Sequence, residues 1–188
     1  MKNIILNVGG MTCSGCSAGL EKYLNKPKNI KIINQESMEN AYKKGKGVMA
    51  ATMHMGNMEA STVCAGEHKI ITVAKKQRNP YINDYITKLR GKANYMEVIE
   101  KNERTSRVLI SKLREKKVIA LFSDHRDKGA IINFFGKETK APSGAVSMAL
   151  KFDLPFLLVY NTFNDDNTIT IYVTDEIELK KTGNFKED

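Results

Sequence analysis

The chain has no apolar run long enough to cross a bilayer. Its longest stretches, such as Leu154 to Tyr160, fall far short of the ~20 residues a spanning helix needs. Met1 to Val8 is too short and too mixed for a signal peptide. Three cysteines in 188 residues do not make a disulfide framework. These absences point to the cytosol, or to the cytosolic face of a membrane, as the working compartment. No internal repeat and no low-complexity segment is present. No arginine-rich block or aromatic nucleic-acid motif accompanies the basic residues, so nucleic acid is not an expected partner.

What remains is an ordinary globular composition, 41% hydrophobic and 27% charged, with enough chain for one substantial core. The net charge is +9, from 30 Lys+Arg against 21 Asp+Glu. Such a balance suits an anionic partner: a phosphorylated lipid, an acidic carrier protein or an anionic membrane face.

The pattern changes near residue 30. Asn3 to Val8 reads as a strand, Gly9-Gly10 as a turn, and Ser14 to Asn25 as a helix stopped by Pro27. From Asn34 on, strands and helices alternate. Met38, Ala41 and Tyr42 share one helical face. Gly47 to Met53 reads as a buried strand, Met58 to Ala65 as a helix and Lys69 to Ala74 as a strand. Asn79 caps a helix with Pro80 in its first turn and a core face of Ile82, Tyr85, Ile86 and Leu89. Glu103 to Glu115 is a further helix, with Leu109 and Leu113 inward. Lys117 to Ser123 is a strand, Ile131 to Phe135 a short extended piece closed by Gly136, and Ser143 to Phe152 a helix. Leu154 to Phe163 and Thr168 to Thr174 flank an Asn-Asp-Asp-Asn turn. The expected architecture is α/β: a mostly parallel or mixed β-sheet flanked by helices, spanning 31–188 and preceded by a short βα segment, 1–30. In such sheets active groups gather at the carboxyl ends of strands.

His54-Met-Gly-Asn-Met-Glu59 stands where a strand ends. On one continuous helix, residues five apart point ~140° away from each other. A strand-to-helix turn at Gly56-Asn57 can bring the carboxylate back to the imidazole. Histidine can take a hydroxyl proton, and a carboxylate can orient it and stabilise its charged form. The plainer reading makes His54 a turn residue and Glu59 a helix N-terminal acid.

Several blocks carry a resemblance. His54 to Glu59 is similar to an H-x4-E motif whose usual form is H-F-G-N-W-E, and Gly45-Lys-Gly-Val48 to the G-x-G-V that precedes it. Asp124 resembles the Asp of a D-Q motif, with His125 at the Gln position. Phe134-Phe135-Gly136 matches an F-F-G block, and Pro142-Ser143-Gly144 with Ala149 a P-x-G-x-A helix start. Arg78-Asn79-Pro80 and Arg90 resemble a segment that carries a needed arginine. With these blocks in order from about Asn34 to Thr174, the chain resembles the lipid A lauroyl/myristoyl acyltransferases.

That resemblance implies a glycerolipid acyltransferase-like fold at the cytoplasmic face of the inner membrane, held there peripherally. It implies transfer of a fatty acyl group from acyl-carrier protein to a hydroxyl of an anionic glycolipid, a lipid A precursor, with no cofactor required. His54 would be the general base and Glu59 its orienting carboxylate. Arg90 would be a supporting cation near acceptor or oxyanion, and Asp124 a needed residue at the same edge as His54. Against the family pattern the chain is expected to be shortened at both ends, without the N-terminal anchor helix and the Trp-rich terminal helix; it contains no Trp. Each of these residues also has a plainer role. Arg90 falls at a helix C-terminus, where a cation suits the dipole, and Asp124 opens a turn. Phe134 and Phe135 read as core, Cys64 as packing, and His68 as surface.

Gly10-Met-Thr-Cys13-Ser-Gly-Cys16 resembles the G-M-T-C-x-x-C loop of heavy-metal-associated domains of the copper-chaperone type. Thiolates with two residues between them can hold Cu(I) or another soft metal. The likeness covers only about residues 1 to 30. It leaves two alternative functions: a soft-metal (copper) binding protein acting through Cys13 and Cys16, or an inactive acyltransferase fragment.

Overall fold

The computed structural model describes residues 30–57, 60–92, 96–127, 129–166 and 168–181. The expected βα segment with Cys13 and Cys16, and also Glu59, lie outside the described residues.

In chain order the elements are β1 (Ile30–Ile33), α1 (Gln35–Lys43), β2 (Val48–Thr52), a 3-10 turn (Ala60–Ala65), β3 (Ile70–Ala74), α2 (Pro80–Lys92) and β4 (Met96–Glu100). Then come α3 (Thr105–Arg114), β5 (Val118–Phe122), β6 (Ala130–Phe134), β7 (Lys137–Ala141), α4 (Gly144–Phe152), β8 (Phe156–Phe163) and β9 (Ile169–Val173). Seven strands form one sheet in the order β1-β9-β8-β2-β5-β3-β4. The run from β8 to β4 is parallel, and β9 turns back antiparallel on β8. The sheet is therefore mixed but mostly parallel, as the alternation of elements requires.

The core strands explain themselves by composition. Val48-Met-Ala-Ala-Thr52 is buried along its whole length, as a parallel strand covered on both faces must be. Alternate residues face opposite layers. Val48 and Ala50 join Met38 and Ala41 of α1, Cys64 of the 3-10 turn, and Leu157 and Ile171 on one face. Met49 and Ala51 join Leu109 and Leu113 of α3 and Ala145 and Ala149 of α4 on the other. Asn79 caps α2 as expected: its Oδ1 accepts from the backbone N–H of Tyr81 at 3.0 Å and of Ile82 at 3.4 Å.

Four expectations change. Met58 to Ala65 is described only from Ala60, and there it is a 3-10 turn rather than an α-helix. Tyr85, read as core, is exposed on α2. Phe134 and Phe135, also read as core, are exposed on a two-stranded antiparallel hairpin, β6–β7, that stands apart from the main sheet. His68, read as surface, is half-buried and stacks on Tyr42. Among the described residues no helix is long and apolar enough to cross a membrane.

Candidate active site

Strands β2 and β5 lie parallel and in register, Thr52 opposite Phe122. Two residues beyond each strand end stand His54 and Asp124, so the register alone brings them to one edge. The backbone N–H of Ser123 donates to the Thr52 carbonyl at 2.9 Å and holds the two chain ends together past the sheet. Asp124 then uses both carboxylate oxygens on one residue. Its Oδ1 lies 2.8 Å from Nδ1 of His54, and its Oδ2 accepts the His54 backbone N–H at 2.6 Å. A carboxylate only accepts, so the proton sits on Nδ1 and the lone pair is left on Nε2. The imidazole also stacks on Phe122, with ring centroids 4.2 Å apart. Backbone, carboxylate and phenyl ring together fix its position and its tautomer. His125 adds a second imidazole edge-on at 6.1 Å. One ligand atom each from His54, Asp124 and His125 lie within 4.8 Å of one another.

The turn after His54 is anchored from below. Gly56 has φ +60, and a Cβ there would fall 2.2 Å from Oδ1 and 2.6 Å from the backbone oxygen of Asn161. Only glycine fits, both for its left-handed backbone and for the close approach to β8. The Asn57 N–H donates to Asn161 Oδ1 at 2.7 Å, and Asn161 Nδ2 donates to Ser61 Oγ at 2.6 Å. Asn161 thus ties the His54 loop to the 3-10 turn that follows it, fully buried. The side-chain amide of Asn57 is itself buried and finds no hydrogen-bond partner among the described residues.

Beside this loop an apolar cavity of about 580 Å³, open mouth included, runs into the face of the sheet that carries α1. Thr52 and Phe122, the last residues of β2 and β5, line it, with Met38, Cys64, Ile70 and Arg90. Burial pushes the Cys64 thiol up to about 12. It stays protonated at neutral pH and is a poor nucleophile, so it serves as the packing residue expected of it.

The structure brings two of the residues singled out in the sequence into contact. His54 and Asp124 touch, and Arg90 reaches the wall formed in part by the ring on which His54 stacks. Asp124 orients His54; Glu59, to which the sequence pattern assigns that role, lies outside the described residues. Sequence reasoning missed Asn161 and Ser61. The available signal was an amide in the apolar strand Phe156–Phe163, where Asn is disfavoured unless a partner holds it.

A hydrogen-bonded imidazole with a free lone pair, at the carboxyl edge of a mostly parallel sheet and beside an apolar cavity, is fitted to activate a hydroxyl near a hydrophobic substrate. The chain belongs to the bacterial lipid A biosynthesis acyltransferase family, whose sequence profile matches residues 22–187. The family is one of acyltransferases acting in lipid A biosynthesis. No curated protein matches the chain.

Proposed function

We propose that the protein transfers a fatty acyl group from the thioester of acyl-carrier protein to a hydroxyl of a lipid A precursor. His54 Nε2 takes the hydroxyl proton as the oxygen attacks the thioester carbonyl carbon. The tetrahedral oxyanion collapses, the carbon–sulfur bond breaks, and the imidazolium returns its proton to the leaving thiolate. Asp124 keeps the imidazole in its basic tautomer and balances the imidazolium charge, and Glu59 shares in that balance. Arg90 supports the developing negative charge. The cavity beside the pair takes the acyl chain. The basic charge of +9 favours both an acidic carrier and a phosphorylated acceptor at the cytoplasmic membrane face.

The observation that carries this reading is the two-point contact of Asp124 with the Nδ1 and backbone N–H of His54. Purified protein incubated with acyl-carrier thioester and a lipid A precursor in detergent is expected to form acylated product. His54→Ala is expected to reduce the rate by about 10²–10⁴. Full activity in that variant would remove His54 from the mechanism.

A further inference from the structure

The hairpin β6–β7 displays apolar side chains that the main core does not use. Phe135 is 91% exposed, Phe134 60% and Ile131 64%. Phe134 and Phe135 meet edge to face at the tip, with ring centroids 4.7 Å apart. The two-residue turn has φ +49 at Phe135 and φ +75 at Gly136. Such a turn prefers Asn, Asp or Gly at its first position. Here a bulky aromatic residue occupies that strained, outward-pointing place, where it adds nothing to the fold's interior.

The register supplies the second half of the argument. Phe134 lies opposite Lys137, and Ile131 opposite Lys140. Directly opposed residues of an antiparallel pair share a face, so each face of the ribbon carries an apolar residue with a lysine beside it. Glu138, opposite Asn133, is the acidic exception. Apolar groups on both faces and at the tip do not match one flat protein groove. They match a lipid surface entered end-on, with lysine stems extending back to phosphate headgroups.

We propose that the β6–β7 hairpin is a membrane-insertion element. Its Phe134–Phe135 tip enters an anionic phospholipid bilayer, while Lys137 and Lys140 meet the headgroup phosphates. The hairpin grows out of the catalytic edge: the Asp127 N–H donates to the Lys140 carbonyl at 3.4 Å, a few residues after Asp124. At ~3.3 Å per residue along a strand, insertion holds the His54–Asp124 pair within roughly 25 Å of the lipid surface. Only this purpose rests on the acyltransferase reading, because lipid binding is measured without any substrate.

The chain contains no Trp, so Phe135→Trp in the full chain gives a single fluorescent reporter at the tip. With vesicles of phosphatidylethanolamine and phosphatidylglycerol, its emission is expected to shift to the blue and to be quenched by brominated lipid. Co-sedimentation of the Phe134→Ser, Phe135→Ser double variant is expected to fall at least tenfold. The Lys137→Glu, Lys140→Glu pair is expected to lose the preference for phosphatidylglycerol over phosphatidylcholine. The proposal is overturned if the reporter stays at its water-exposed wavelength while the protein sediments with vesicles, or if nothing sediments. A blue-shifted emission before lipid is added, from another part of the chain or a second copy, overturns it too. So does a shift produced by acidic carrier protein and not by vesicles. Acyl transfer by the double serine variant in detergent micelles at the wild-type rate separates loss of membrane docking from failure of the transferase reading.

Discussion

Replacing Asn161 by alanine tests how the loop that follows His54 is held. The side chain accepts the Asn57 N–H at 2.7 Å and donates to Ser61 Oγ at 2.6 Å, with no solvent access to offer substitutes. Truncation leaves the amide proton of Asn57 and the hydroxyl of Ser61 facing a void. An orphaned buried group costs about 1–3 kcal/mol. Ser61 Oγ loses a donor to one lone pair while its own O–H is untouched, so its share lies at the low end, and the pair together costs about 2–5 kcal/mol. For a domain of this size each kcal/mol lowers Tm by about 2–4 °C, so thermal unfolding should begin about 5–15 °C lower. The rate should fall too, because His54 stands three positions before Asn57 and depends on the same turn. A misplacement of about 1 Å costs a catalytic group on the order of 10²-fold. Circular dichroism melting and the acyl transfer assay read the two effects on one preparation. A variant within about 2 °C of wild type, with its rate intact, would show that the buried amide network does not hold the loop.

Gly56→Ala is expected to be damaged by a different route: its Cβ would stand 2.6 Å from a backbone oxygen that cannot rotate away. Soluble expression with a large loss of transfer rate is the expected outcome, and wild-type activity would contradict the geometry. In a Cys13→Ser, Cys16→Ser background, Cys64 should resist maleimide until the protein is unfolded, because burial holds it as a thiol. Labelling of native protein within minutes at neutral pH would refute that. Asp175 accepts hydrogen bonds from Asn34 and Ser37, which lower its pKa below 3.8. A carboxylate whose folded pKa is depressed stabilises the fold above its unfolded value and loses that contribution as pH falls through the folded one. The Tm difference between wild type and Asp175→Ala should therefore be constant from neutral pH down to about pH 4 and shrink below it. A difference that grows on acidification would reverse the sign.

Much of the sheet could be read in the sequence because its central strands are buried on both faces and written as apolar runs. Val48–Thr52, Ile70–Ala74 and Val118–Phe122 each fall inside the strand expected from residue type. β7 could not be read, because Lys137-Glu-Thr-Lys-Ala141 has no apolar face for alternation to mark. Without β7, the partner of β6 is invisible, and Phe134 and Phe135 look like core. Met96–Glu100, at the sheet edge, is mostly half-buried and gives the same weak signal. Within the site, His54 and Asp124 were each legible from their motifs. Their contact was not, because it depends on the register of two strands 70 positions apart in the chain. Asn161 was hidden for the same reason: what makes an amide acceptable in that strand is the loop it holds, which only the fold reveals.

The claim on which the rest depends is that Asp124 keeps the proton on Nδ1 and leaves Nε2 free to act as base. Asp124→Asn retains the size of the side chain and one oxygen, but its amide can donate to Nδ1 and force the proton onto Nε2. Measured as kcat/KM for acyl transfer, with the melting curve checked against wild type, this variant should lose about 10³–10⁴ of activity while staying folded. A folded Asp124→Asn protein within twofold of wild type would contradict the account.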